Sequence, residues 1–276
     1  LFLFIFSTTY LSAKYLELKY LQSENNILWG LIIFVGISSC LATKNLLSSV
    51  IEISKLIEKK SSHKKYKQVI TNKVQRLVSR DVSSLSEEHL LRSATESLTE
   101  NSVDGIFGPL FWILIGAFCI KYSIYLPGPL SLGLSYKAIS TLDSMIGYKY
   151  IPFKYLGFFS AKIEDYITYI PCRLVVFTLP LVSIKIGNYL NLIQKTFEDG
   201  GKYESPNSGI SEGIFAFITD IQLGGENKYR EKKIFKPIIN YGGNKCNQKS
   251  IEQICGLIIR LQLLWIVIFS VIFFII

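Results

Sequence analysis

The sequence predicts an all-α polytopic integral membrane protein, with four to five transmembrane helices joined by helical and Gly/Pro-rich cytoplasmic loops. Three observations predict it. Hydrophobic residues make up 49% of the chain and charged residues only 18%, where a soluble domain carries about 25% charge. Four apolar stretches approach the roughly 20 residues a spanning helix needs. The basic residues are concentrated in alternate loops, the positive-inside pattern.

The elements follow in order. Leu1–Leu11 is apolar but short. It lacks a basic n-region and an initiating Met, so it reads as the remnant of a helix whose start is missing, not as a signal peptide. Ile27–Thr43 carries no charge. In the loop that follows, residues 44–105, Leu46, Val50, Ile53, Leu56 and Ile57 recur at helical spacing. The basic run Lys59–Lys67 reads as a solvated helix face near anionic lipid. Ser84-Leu85-Ser86-Glu87 has capping-box spacing, with a helix expected from Glu87 toward Asn101. Ile106–Leu126 holds only Lys121, Tyr166–Leu190 holds Arg173 and Lys185, and Leu257–Ile276 holds Arg260. Snorkelling suffices for Lys121, Lys185 and Arg260. Residues 191–256 read as turns around Gly200-Gly201, Gly224-Gly225 and Gly242-Gly243, without strong strand alternation.

Residues 44–105 hold eleven Lys and Arg and residues 191–256 hold nine, against four in 127–169 and two in 7–26. That places the two rich loops in the cytoplasm, within one membrane-embedded domain covering 1–276. The net charge of +9 is therefore not a nucleic-acid signature, since no single basic, aromatic-laced domain exists. Low charge and 18 Phe argue against disorder. Five Cys, an odd number with no Cys-x-x-Cys, exclude a disulfide scaffold, and Cys40, Cys119 and Cys172 lie in apolar runs. Only His63 and His89 exist, both in polar stretches, so a His-based metal site is not expected. No P-loop occurs. Gly209-Ile210-Ser211-Glu212-Gly213 matches the Gly-x-Ser-x-Gly string, but a turn precedes it and no His partner is evident, so it reads as a chance match.

Three polar clusters sit where polarity is costly. Glu96, Glu100 and Asp104 follow Arg92 at i, i+4, i+8 spacing and line one helical face. Mutual repulsion there calls for a counter-charge, either Mg²⁺ or, for a solvated face, Arg92. Ser140-Thr141-Leu142-Asp143-Ser144-Met145-Ile146-Gly147 is a polar knot that reads equally as a site or as a helix cap. Glu164-Asp165 precede Arg173, an Arg in an apolar run, which normally meets a partner or lines a polar cavity. Asp165 lies about two turns before it, so a structural pair or snorkelling is the alternative.

At these clusters the sequence resembles the CobD/CbiB family, the membrane-bound adenosylcobinamide-phosphate synthases of cobalamin biosynthesis. The resemblance runs from about Arg76 to Gly225. Its ordered strings are Arg80-Asp81, Glu100-Asn101-x2-Asp104-Gly105, Pro109-Leu110-Phe111, Tyr136-Lys137-Ala138, Thr141-Leu142-Asp143-Ser144-Met145-x-Gly147, Ile170-Pro171-x-Arg173-Leu174, Ser205-Pro206-Asn207-x-Gly209 and Leu223-Gly224-Gly225. The chain departs from the family at Ser79, Ser140, Lys162, Glu164 and Thr168. The family's N-terminal Gly-Asp-Pro and His-Pro-Val elements are not seen, so a shortened version of a longer member is expected.

The resemblance implies ATP-dependent amide formation between aminopropanol or ethanolamine phosphate and the propionate of adenosylcobyric acid. It implies ATP with Mg²⁺ as cofactor, membrane lipid as surroundings and other cobalamin-assembly enzymes as neighbours, with no nucleic acid. Glu100, Asp104 and Asp143 are then the carboxylates for Mg²⁺-ATP or proton abstraction, with Asp165 a further catalytic candidate. Arg80, Lys137 and Arg173 would neutralise phosphates. Asn101, Thr141, Ser144 and Asn207 would supply hydrogen bonds, and Gly105, Gly147 and Gly209 would let backbone approach ligand. Simple alternation puts Asp143 and Asp104 on opposite sides of a bilayer. Pro109, Pro127 and Pro129 would resolve that by bending Ile106–Leu126 into a re-entrant hairpin, leaving the site on the cytoplasmic side where ATP is. The rivals are an AmpE-like membrane sensor or scaffold, which shares Pro-Leu-Phe-Trp and Pro-x-Arg-Leu, and an anion transporter using Arg173.

Overall fold

The computed structural model describes residues 1–23, 26–59, 64–148, 151, 153–183, 186–229 and 232–275. Helices dominate: α1 (Phe2–Gln22), α2 (Asn26–Cys40), α3 (Thr43–Glu58), α4 (Lys64–Gln75), α5 (Glu87–Ser102), α6 (Gly108–Tyr122), α7 (Pro129–Ile146), the single turn α8 (Phe153–Leu156), α9 (Phe158–Thr178), α10 (Tyr189–Gly200), α11 (Ser208–Thr219) and α12 (Gln248–Ile275). Among the described residues, four helical stretches are long and apolar enough to cross a membrane: Asn26–Glu58, Glu87–Tyr122, Phe158–Val182 and Gln248–Ile275. Each overlaps one apolar stretch read from the sequence. The third is displaced toward the N-terminus, because Pro180 tightens the chain into a 3₁₀ turn, Leu179–Val182, where continued helix was expected. Leu1–Leu11 belongs to the longer α1. Part of the basic run Lys59–Lys67, with His63, and also Lys185, lie outside the described residues.

The chain divides into two compact units. The first comprises Leu1–Ala42, Val103–Pro171 and Trp265–Ile276. At its centre α6 and α7 form an antiparallel helical hairpin. A Cβ on Gly116 would meet the Gly128 and Pro129 backbone, one on Gly133 would meet Ile113, and one on Gly108 would meet Tyr136. Pro109 lies in the first turn of α6 and Pro129 opens α7, where a missing N–H costs nothing. The chain turns back between α6 and α7 through residues 123–128.

Two charged residues of α1 secure that turn. Glu17, 2% exposed, accepts the backbone N–H groups of Gly128, Leu130 and Ser131 at 3.1, 2.8 and 3.0 Å, and the Ser131 hydroxyl at 3.0 Å. A carboxylate at the N-terminus of a helix meets both the orphan donors and the positive end of the macrodipole. Lys14 Nζ donates to the carbonyls of Ile124, at 2.7 Å, and Leu126. Lys121 donates to the Phe273 carbonyl at 2.7 Å, with its ammonium 4.8 Å from the Phe273 ring.

The second unit comprises Thr43–Ser102 and Cys172–Leu264. The helical spacing read at residues 46–57 is α3, and Leu46, Val50 and Ile53 are its buried face. Helix α5 starts at Glu87 as expected, but the cap is Ser86, whose hydroxyl accepts the His89 N–H at 3.4 Å. The unit also holds the one two-stranded sheet among the described residues. Strands β1 (Leu223–Tyr229) and β2 (Lys232–Ile239) pair antiparallel, with a register shift between Leu223 and Gly225. The Gly224-Gly225 pair, read as a turn, lies at this shift, where Gly224 faces Pro237 and Ile238 of β2. Both glycines have positive φ, +80° and +92°, which only glycine adopts cheaply.

Candidate functional site

In the second unit the acidic stripe is not a free face. Glu96 is fully buried and pairs with the guanidinium of Arg80 and, at 3.5 Å, with Arg92 Nε. Oε1, the oxygen that faces Arg92, also accepts the Gly224 N–H at 3.0 Å. Arg92 continues outward to the Glu226 carbonyl at 2.7 Å. Two guanidiniums and a backbone amide thus offset the repulsion and desolvation that the spacing implied. Arg80, read as a phosphate ligand, is 4% exposed and already charge-matched. In this unit its guanidinium holds Glu96.

Glu100 and Asn101 occupy the end of α5 and are half-buried. Asn101 Nδ2 donates to the Ser97 carbonyl at 2.8 Å and hydroxyl at 2.9 Å, which fixes its amide on its own helix. Arg173 and Asn207, separately read as site residues, come together. Arg173 donates to Asn207 Oδ1 at 2.6 Å and to the Pro206 carbonyl at 2.7 Å. The Arg in an apolar run therefore meets a polar partner in this unit. Gly209 lies against Tyr203 and the Gly200 backbone, so its missing side chain serves close packing.

Sequence reasoning missed a neighbouring cluster. Glu212, dismissed within a chance motif, is completely buried. It accepts the Tyr203 hydroxyl at 3.2 Å and the Lys236 ammonium at 3.3 Å. Burial, aided by the charges of Glu96 and Glu100 and opposed by Lys236, pushes the Glu212 carboxyl up to about 8. Burial and the Glu212 charge push the Tyr203 phenol far above its usual range. The available signal was one acid inside an otherwise apolar helix, Gly209–Ile218. Its partner, Lys236, lies 24 positions on in a strand that was not foreseen.

In the first unit the chain leaves α5 through a π-helical segment, Val103–Phe107. Asp104 is the second residue of that segment. Gly105 faces Ala42, whose N–H donates to the Gly105 carbonyl at 2.9 Å. On α7, Lys137, Thr141 and Ser144 share one face by helical spacing, and Thr141 and Ser144 are exposed. Asp143 sits in the last turn of α7, with its carboxylate against Gly147 and its carbonyl accepting the Gly147 N–H at 2.7 Å. The helix-cap reading of this knot fails, because an N-cap acts at the opposite end of a helix. Asp165 is half-buried on α9. Nearby, Tyr136 and Thr168 share a hydrogen bond of 2.8 Å, and Thr168 donates to Glu164 at 2.7 Å. The Thr168 hydroxyl thus links Tyr136 to Glu164.

Among the described residues, no three His, Cys, Asp or Glu gather into a metal cage. Mg²⁺ bound with a nucleotide does not need one, since it takes one or two carboxylates and fills its shell with phosphate and water. The donors suit such an ion. Glu100, Asp104 and Asp143 are hard-oxygen ligands, and Asp143 lies at the negative end of a helix macrodipole, where a carboxylate gains from a cation. A depression on α1, lined by Leu11, Ser12, Tyr15 and Leu16, contains none of these residues.

The family model described as CobD/Cbib protein matches residues 1–258. A Synechocystis protein named Cobalamin biosynthesis protein CobD is 40% identical over 226 residues, covering 80% of this chain and 61% of that protein. A protein of the same name from Leptospira interrogans is 38% identical over 183 residues, 66% of this chain and 53% of its own. One from Listeria monocytogenes is 35% identical over 199 residues, 71% and 59%. The chain thus spans between half and two-thirds of the length of these curated relatives. No solved structure matches.

Proposed function

The chain belongs to the CobD/CbiB family, and on that premise we propose that it catalyses ATP-dependent amide formation in cobalamin biosynthesis. The acid is adenosylcobyric acid, the amine is aminopropanol or ethanolamine phosphate, and the product is adenosylcobinamide phosphate. The observation that carries the reading is the family match over residues 1–258, together with the motif residues at Glu100–Gly105 and Thr141–Gly147 that the chain retains.

A carboxylate and an ammonium do not condense in neutral water. Bound Mg²⁺-ATP would supply the phosphoryl group that activates the carboxylate. Glu100, Asp104 and Asp143 would hold that ion. Lys137 and Arg173 would neutralise phosphate charge, with Arg173 oriented by Asn207. Thr141 and Ser144, exposed beside Lys137, suit hydrogen bonds to substrate. Asp165 is a candidate to accept the ammonium proton. The protein would reside in the cell membrane as a multi-pass protein with this site toward the cytoplasm, the ATP-containing side, in company with lipid and other cobalamin-assembly enzymes.

The test is complementation of a strain lacking its own synthase, fed adenosylcobyric acid. Adenosylcobinamide phosphate should form. Absence of that product would favour a non-enzymatic AmpE-like role.

A further inference from the structure

We propose that α10 is an interfacial helix lying along the membrane surface, with Leu190, Ile193 and Phe197 against lipid. This placement holds whether or not the chain forms the amide.

The sequence of α10 makes more apolar surface than its own unit covers. Leu192, Thr196 and Gly200 follow at i, i+4, i+8 and form the buried strip. Gly200 there meets the Gly209 backbone of α11. Leu190, Ile193 and Phe197 follow at i, i+3, i+7 and form a second strip beside the first. That strip is open: Leu190 is 78% exposed, and Phe197 is exposed as well. Asn191, Gln194, Lys195 and Glu198 make up the remaining arc, which is exposed and polar. Across it Gln194 Nε2 donates to Glu198 at 2.7 Å. A helix with an open apolar strip and a polar back has the pattern of one seated at a membrane–water boundary.

The position of the open strip names its occupant. Phe158–Val182 is long and apolar enough to cross a membrane, and Phe177 lies inside it, short of its end. Helix α10 returns to this residue twice. The Tyr189 hydroxyl donates to the Phe177 carbonyl at 2.9 Å, and the Phe197 ring lies 6.4 Å from the Phe177 ring. Both ends of the strip are thus tied to one residue of the span. The helix runs beside the end of the span, at the depth where the span leaves the bilayer. Phe177 and Leu181 are themselves exposed, so the open strip continues the lipid-facing side of the span. In water these side chains would form an unfavourable patch, whereas acyl chains at the boundary cover them. Charge contributes little, because α10 sets Lys195 against Glu198 and Asp199. Beyond Gly200-Gly201 the chain enters the loop whose Pro206 and Asn207 hold Arg173. The anchored helix therefore carries that loop.

The full chain is placed in phosphatidylcholine nanodiscs with a genetically encoded spin label at position 190, 191, 194, 197 or 198, so that the native cysteines stay untouched. Power saturation then measures collision with oxygen, which concentrates in lipid, and with a water-soluble nickel chelate. The oxygen-to-nickel ratio should be severalfold higher at 190 and 197 than at 191, 194 and 198. A label at 190, where the native side chain is 78% exposed, keeps the test valid if one at 197 disturbs the ring contact. Ratios at 190 and 197 no higher than those at the polar positions would put the strip in water and overturn the proposal. Shielding of 190 and 197 from both reagents would mean that protein covers the strip, a second copy or another partner, and would overturn it equally.

Discussion

Glu96 accepts the backbone N–H of Gly224 at 3.0 Å, although the two are 128 positions apart. The same carboxylate holds Arg80 and Arg92. One buried acid thus ties the loop before α5, α5 itself and the start of the β-hairpin into a single polar core. Removing it leaves two buried guanidiniums and an amide without their shared partner. Glu96→Ala should therefore cost about 3–5 kcal/mol, read as a loss of unfolding free energy in detergent. A cost under about 1 kcal/mol, the range of surface pairs, would contradict the account.

Gly224 should tolerate no side chain. Its φ is +80° and an added Cβ would lie 2.1 Å from the Pro237 carbonyl oxygen. Gly224→Ala should lower the melting temperature by more than Gly242→Ala, where φ is +84° but nothing lies within 4 Å. The difference isolates the steric part, since the conformational penalty is common to both.

Glu212 gives the fold a defined pH response. Its carboxyl lies near 4.5 in the unfolded chain and is raised to about 8 in the folded one. Between those values the folded state holds a proton that the unfolded state has released. Stability from this group is full below about pH 4.5, falls as pH rises and is lost above about pH 8. Glu212→Gln should flatten the decline of melting temperature over that window. An unaltered slope would mean that Glu212 is ionised in the folded protein.

Glu17 should govern local order at the start of α7. Glu17→Gln exchanges a charged acceptor of three backbone N–H groups for a neutral one. Hydrogen bonds to charged groups contribute about 1.5–3 kcal/mol. Amide exchange should accelerate at Gly128, Leu130 and Ser131 with little change in α10 and α11. Uniform acceleration across the chain would indicate global destabilisation instead.

The all-α class and the apolar stretches were legible because hydropathy is additive and local. Buried stripes such as Leu46, Val50 and Ile53 were legible for the same reason. The motif strings located Arg173 and Asn207, and the fold joins them. Long-range charge pairing was not legible. Nothing near Glu17 announces a helix N-terminus more than a hundred positions away, and nothing near Glu212 announces Lys236. The hairpin was missed because Leu223-Gly224-Gly225-Glu226-Asn227 lacks the alternation of a strand. Asp104 was assigned to the stripe by α-helical spacing, which the π segment Val103–Phe107 interrupts.

The central claim, ATP-dependent amide formation through the motif carboxylates, is tested most directly in membranes carrying this chain and lacking any other synthase. Adenosylcobyric acid, an amino-alcohol phosphate, ATP and Mg²⁺ are supplied, and adenosylcobinamide phosphate is measured. The account predicts product that depends on ATP, with a loss on the order of 100-fold for Asp143→Asn and a raised Mg²⁺ requirement for Asp104→Asn. Full activity in both variants would contradict it.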